Sequence, residues 1–196
     1  MRVLEFEAKA LLQSQGIMPP EGGVVTSAEE ALSAATALGR PVVVKAQIPM
    51  GRRMKAGGVF FADTPEQAAA AARDLIGKTV NKFIVEEVLV EEKLNLTEEL
   101  FVGATYDSVD RCAIIIASRA GGIDVETSGK LVRRAFPVRE TVPDYLGREV
   151  ATELGFRGEI VPELGRLVGL VAQCFANWDA LLLELNPLVL DSQHRW

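Results

Sequence analysis

Hydrophobic and polar positions along this chain fall into blocks of two periods, and the blocks predict alternating helices and strands. Leu4, Ala8, Leu11 and Leu12 share one helical face, and Gly16 ends that predicted helix. A turn rich in Pro and Gly, residues 18–23, leads into a short strand at Val24-Val25. Ser27 and Glu30 have capping-box spacing, so a helix begins there, runs through Ala31, Leu32, Ala35 and Leu38, and closes at Gly39. The Val42–Val44 run is apolar enough for a buried strand, and Val59–Phe61 reads as another. Thr64-Pro65-Glu66-Gln67 is a second capping box, with Pro at the first helical position of an alanine-rich helix reaching about Leu75-Ile76. Phe83-Ile84-Val85 then predicts a strand ending in Glu86-Glu87. The order from about residue 22 to 88 is strand, helix, strand, strand, helix, strand. A single sheet with helices on one face would bury both helical stripes.

The stretch 89–98, LVEEKLNLTE, is polar and acidic with no clear period, and it marks the expected boundary between two lobes. Beyond it, 100–105 and 112–117 predict two strands joined by a turn at 107–110. SRAGGID (118–124) reads as a glycine-containing loop and 131–136 as a strand. Pro143 opens a short helix ending near Gly155. Ile160, Leu164, Leu167, Val168, Val171 and Phe175 trace the apolar face of a long helix. A buried strand is predicted at Ala180–Leu185, a turn at Asn186-Pro187, and a further strand from Val189-Leu190.

Composition narrows the function classes. With 196 residues, 48% hydrophobic and 24% charged, the chain is globular and long enough to bury a sizeable core without disulfides. A net charge of -6 argues against bulk nucleic-acid or anionic-membrane binding. Cys112 and Cys174 each lie in an apolar segment, which suits buried free thiols and a cytoplasmic protein. The amino-terminal segment is neither a signal peptide nor a membrane span.

The candidate chemistry concentrates in PVVVKAQIPMGRRMKAGG, residues 41–58. A lysine at the end of a stiff strand is held still, and the neighbouring loop carries Arg52, Arg53 and Lys55. Together they could hold a polyphosphate, most simply ATP; the alternative is a surface hairpin with solvated charges. Acidic residues stand at strand ends: Glu86, Glu87, Glu99 and Glu184. Alternation sends Glu184 and Asn186 to one face of their strand, where a carboxylate and an amide oxygen are hard ligands suited to Mg²⁺. Glu184 paired with an arginine, and Asn186 shaping a turn before Pro187, is the alternative.

The ordered set LEFEAKALLQSQGI, PVVVKAQ, KAGGV, FIVEE, ELFVG, ASRAGGID and LLELNPLV spans almost the whole chain. It resembles the amino-terminal, ATP-grasp part of succinyl-CoA synthetase (ADP-forming) beta subunits, and the equivalent segments of malate–CoA ligase and ATP citrate lyase. The resemblance implies an α/β (α+β) fold of two lobes, each with a sheet and helices, with a nucleotide cleft between them. The smaller lobe would span residues 21–98, the larger 1–20 plus 99–196. Lys45 would contact the nucleotide phosphates, and the loop of Arg52, Arg53, Met54 and Lys55 would close over them. Glu86 and the backbone just after it, at Leu89, would meet the adenine edge, with Glu99 near the ribose or adenine. Asn186 would be a Mg²⁺ ligand and Glu184 would face the site where phosphate passes to a histidine of a partner alpha subunit. ATP and Mg²⁺ are thus the implied cofactors, CoA being bound by a domain or partner outside this chain; nucleic acid and membranes are not implied partners.

Three departures from the family pattern stand out. Arg52 and Met54 occupy loop positions where the family usually has glycine, so a guanidinium would replace backbone donors, or the loop would no longer bind ATP in the usual way. Glu86 and Glu99 are thirteen positions apart, which implies an insertion between the lobes. The family continues past this chain's last residue, Trp196, with a second metal-binding aspartate and a CoA-ligase domain. His194, the single histidine, reads as a solvated turn residue. The expected function is therefore the ATP-handling part of an acid–CoA ligase, with a non-catalytic nucleotide- or partner-binding module as the alternative.

Overall fold

The computed structural model describes residues 2–51, 53–119, 131–192 and 196. The sequence-nominated Arg52, most of the SRAGGID loop and His194 lie outside those residues. The chain divides into two compact units, Met1–Leu94 and Asn95–Trp196.

In the first unit, α1 (Glu5–Ser14) is followed by β1 (Gly22–Val25), α2 (Ala28–Leu38), β2 (Val42–Ala46), β3 (Val59–Ala62), α3 (Pro65–Leu75), β4 (Thr79–Val80), β5 (Phe83–Ile84) and β6 (Val88–Glu92). Four strands form one sheet in the order β1-β6-β2-β3, every pair antiparallel. Both predicted caps form: the Ser27 hydroxyl accepts from the Glu30 amide and the Thr64 hydroxyl from the Gln67 amide, with Pro65 opening α3. Small residues let both helices lie close to the sheet. Ala31 and Ala35 of α2, with Ala68, Ala71, Ala72 and Leu75 of α3, pack with Val42, Val44, Ala46, Val88 and Val90.

Several expectations change here. Phe83-Ile84 forms only a short hairpin with β4, joined by a turn in which Asn81 and Lys82 both take positive φ. The strand that enters the sheet is Val88–Glu92, which overlaps the stretch 89–98 expected to be a polar boundary. The two segments repeat one pattern, FIVEE then VLVEE, and a single-strand reading stops at the first. Residues 1–20, grouped by sequence with the later lobe, fall in the first unit. There Leu12 and Ile17 are buried, whereas Leu11 of the predicted apolar face is exposed.

The second unit contains β7 (Leu96–Asp107), β8 (Cys112–Ser118), β9 (Val132–Phe136), α4 (Asp144–Glu153), α5 (Ile160–Asn177) and β10 (Leu182–Asp191). Its sheet has the order β10-β7-β8-β9, again antiparallel. The predicted apolar stripe of α5 is buried at Leu164, Leu167, Val168, Val171 and Phe175. Phe175 packs against Tyr106 and Phe136. The segment read as strand, turn, strand is one strand, β10, with a register shift between Leu185 and Leu188 that absorbs Asn186-Pro187. Its first half is not buried: Leu181 and Leu182 are exposed. Cys112 and Cys174 are both free thiols, Cys174 buried. Among the described residues no helix is long and apolar enough to cross a membrane.

Candidate functional site

Strand alternation decides which side chains meet the helices of the first unit. The even-numbered residues Val42, Val44, Ala46, Val88 and Val90 face α2 and α3, so Val43, Lys45, Leu89 and Glu91 lie on the opposite face. The register sets Val43 across from Glu91 and Lys45 across from Leu89. Lys45 and Glu91 are therefore diagonal neighbours, close enough for long side chains to pair. They do: the Lys45 ammonium bonds Glu91 Oε1.

The amino-terminal helix completes the arrangement. Glu5 Oε1 accepts from Lys45 Nζ at 3.2 Å and is 2.9 Å from Lys9 Nζ, one helical turn away. Glu5 Oε2 takes the Arg53 guanidinium and Glu91 Oε2 takes Lys9. Lys9, Glu5, Lys45 and Glu91 form a closed ring of alternating charge, with Arg53 attached at Glu5. Arg53 also donates to the Ala46 carbonyl at 2.9 Å. Gln47, buried on the same face, accepts from the Phe6 amide at 3.2 Å and donates to the Lys45 carbonyl at 3.1 Å. Among the described residues, three cations against two carboxylates leave the cluster with a net positive charge, a suitable field for an anion.

Burial is what makes the ring electrostatically strong. The Glu91 side chain is 4% exposed and Glu5 19%, so water screens them weakly. Burial alone would push the Glu5 carboxyl up, but Lys45, Lys9 and Arg53 outweigh it and hold the group far below its ordinary value. Burial likewise acts to lower Lys45, and Glu5 and Glu91 outweigh it, so the ammonium is held charged above its ordinary range.

The other nominated residues are distributed as follows. Met54 and Lys55 are exposed in the turn after Arg53, with Met54 at 49%. Glu86 is exposed in the β5–β6 connection. Leu89 is buried within β6, and its strand pairs with β1 on one side and β2 on the other. Glu99, exposed, lies in β7 opposite Val189. Glu184 and Asn186 are both exposed on β10, an edge strand, Glu184 opposite Gly103 and Asn186 at the register shift. Their oxygens are hard donors of the kind Mg²⁺ takes. The described residues contain no group of three or more His, Cys, Asp or Glu placed to hold a metal ion.

Sequence reading missed Glu5, Lys9 and Glu91. The acid–base pair Glu5–Lys9 has helical i,i+4 spacing and was visible as such. Glu91 was hidden because its strand was read as a linker.

Two antiparallel sheets carrying helices, with a lysine fixed at a strand end beside a basic turn, define an α+β protein with a cationic cluster on one sheet. The chain belongs to the ATP-grasp domain family, whose profile matches residues 2–190. It is similar to the beta subunit of ADP-forming succinate–CoA ligase from Methanothermobacter thermautotrophicus, 39% identical over 97% of this chain and 53% of that protein. The chain thus spans about half the length of the curated relatives it matches. Its fold is similar to that of ATP citrate lyase from Methanothrix soehngenii, with a TM-score of 0.74 at 18% identity, covering 98% of this chain and 48% of the other. It is also similar to a dinucleotide-forming acetyl-coenzyme A synthetase of Ca. Korarchaeum cryptofilum, solved with coenzyme A and Ca-AMPCP. There the TM-score is 0.71 at 23% identity, over 95% of this chain and 86% of that one.

Proposed function

We propose that the chain is the nucleotide-handling part of an acid–CoA ligase of the succinate–CoA ligase type, binding Mg-ATP and passing its terminal phosphoryl group to a histidine of a partner alpha subunit. The phosphorylated partner then drives thioester formation between a carboxylic acid and CoA, in the cytoplasm. The observation that carries this reading is Lys45: an ammonium fixed at a strand end, on the sheet face away from α2 and α3, and held charged by two carboxylates. The names of the relatives support the acid–CoA ligase class.

Each residue has a defined task in this reading. Lys45 and Arg53 neutralise phosphate oxygens, which stabilises charge developing on the transferred group. Lys55 and the neighbouring turn close over the phosphates. Asn186 would hold Mg²⁺ through its amide oxygen, a hard donor, and Glu184 would orient the accepting histidine. The metal would supply neutralisation of charge on the phosphate oxygens it binds. Glu99 contacts the ribose or adenine.

The test is transfer of label from γ-labelled ATP to an added alpha subunit by the full chain. Wild type is expected to label the alpha-subunit histidine, and Lys45→Ala to lose at least about tenfold in transfer and in Mg-ATP affinity. Unchanged affinity in Lys45→Ala overturns the assignment of Lys45. Binding without transfer favours a nucleotide-binding module.

A further inference from the structure

We propose that Glu5 is the positioning residue of the phosphate site: its single carboxylate binds the strand cation Lys45 and the turn cation Arg53 at once, so that both face one anion. This rests on the reading of Lys45 and Arg53 as phosphate ligands.

Two like charges repel, and the Arg53 bond to the Ala46 carbonyl ties the turn to β2 without supplying a counter-charge between them. Lys45 belongs to β2, whereas Arg53 belongs to the turn between β2 and β3. Glu5 supplies what is missing. One oxygen takes Lys45 and Lys9, and the other takes Arg53. The carboxylate is itself fixed, because α1 is anchored on the sheet by Lys9–Glu91 and by the Phe6 amide on Gln47. Glu91 takes a second hydrogen of the Lys45 ammonium from the β6 side. An ammonium has three hydrogens, so two carboxylates set the direction of the third, the one a phosphate oxygen takes. Among the described residues, the charged groups paired in this cluster with Lys45 are Glu5 and Lys9 from α1, Arg53 from the turn and Glu91 from β6.

A count of charge alone gives the opposite sign of effect. Removing a carboxylate makes the cluster more positive and should tighten anion binding. Positioning requires the reverse, because Gln has one acceptor oxygen where Glu5 has two, and its amide nitrogen would face a cation. The sign of the change therefore decides between a bridge and a competing counterion.

The experiment measures Mg-ATP binding to the full chain by calorimetry for wild type, Glu5→Gln and Glu5→Asp. In parallel, an amine-acylating reagent is applied across a pH series and modification at Lys45 is read by peptide mass spectrometry. Glu5→Gln is expected to weaken Mg-ATP about tenfold, the size of effect of one charge-assisted bond. It should also let Lys45 acylate at lower pH than in wild type. Glu5→Asp keeps the charge with a shorter reach and is expected to fall between the two. Equal or tighter binding in Glu5→Gln, or an unchanged acylation profile, overturns the proposal. If Glu5→Gln does not fold, Glu5→Asp decides, and wild-type affinity there overturns it. Failure of Lys45→Ala to weaken binding would instead sink the underlying phosphate-site reading.

Discussion

Glu5 Oε1 lies 3.2 Å from Lys45 Nζ, although forty positions separate the two residues in the chain. The contact joins the amino-terminal helix α1 to the end of β2. Removing the ammonium leaves Glu91, 4% exposed, with Lys9 as its remaining cation among the ring members. Lys45→Met keeps the apolar stem and is expected to cost about 2–3 kcal/mol. That is less than the roughly 3–5 kcal/mol for orphaning a buried charge, because Lys9 still serves both carboxylates. Urea denaturation measures it. Adding Glu91→Met should recover more than half of the loss, since an apolar pair replaces an ion pair at little cost. A double variant less stable than the single would show that Glu91 is stabilised by something other than Lys45.

The same ring sets a pH dependence with opposite signs at its two ends. The Glu5 carboxyl is held below its ordinary value of 4.5, so its contribution is full above that pH and fades as acid is added. Lys45 is held above its ordinary 10.5, so its contribution is full below that pH and is lost as alkali is added. Stability curves of wild type and Glu5→Gln, measured by urea from about pH 3 to pH 9, should run parallel at neutral pH and converge in acid. Curves that stay parallel down to about pH 3 would show that Glu5 titrates normally.

How much of this was readable in advance depended on whether the signal was local. Ser27, Thr64 and Pro65 announce helix starts through capping chemistry that needs no distant partner, and α2 and α3 begin there. The α5 stripe is a period within one segment, and it too is buried as expected. The ion ring is different. Glu5, Lys45 and Glu91 come from three elements, and only the pairing of β2 with β6 brings two of them together. That pairing was missed because VLVEE, taken alone, resembles the acidic tail of the preceding FIVEE. The exposure of Leu181 and Leu182 was unreadable for a related reason. An apolar run does not reveal that its strand is an edge.

Ser27 gives a test of the local signals. Its hydroxyl accepts from the Glu30 amide at 3.1 Å, while the Glu30 carboxylate accepts from the Thr26 amide at 2.7 Å. Ser27→Ala removes one cap bond and leaves the other, so it should destabilise by about 1 kcal/mol. Ser27→Asp should restore most of that, because aspartate caps equally well and its charge favours a helix start. Thermal unfolding of the three proteins measures the order, and a Ser27→Ala protein as stable as wild type would show that Glu30 alone holds the helix start.

Two glycines of the second unit predict opposite outcomes for the same substitution. Where α4 crosses α5, a Cβ on Gly147 would stand 1.8 Å from the Gly165 carbonyl oxygen, and one on Gly165 would stand 2.8 Å from the Arg148 backbone nitrogen. These are backbone atoms, so neither clash can be relieved by turning a side chain. Gly147→Ala must separate the helices and disturb the packing of buried Leu146, Val150, Leu164 and Val168. The expected loss is about 2–3 kcal/mol, the upper range for overpacking. Gly169 lies on the same helix as Gly165, yet among the described residues a Cβ there would meet nothing within 4 Å. Gly169→Ala gains helix propensity without a clash and should stabilise by about 0.5–1 kcal/mol. Chemical denaturation of both variants checks the contrast. Equal effects at the two positions would mean that the α4–α5 crossing is not close enough to exclude a methyl group.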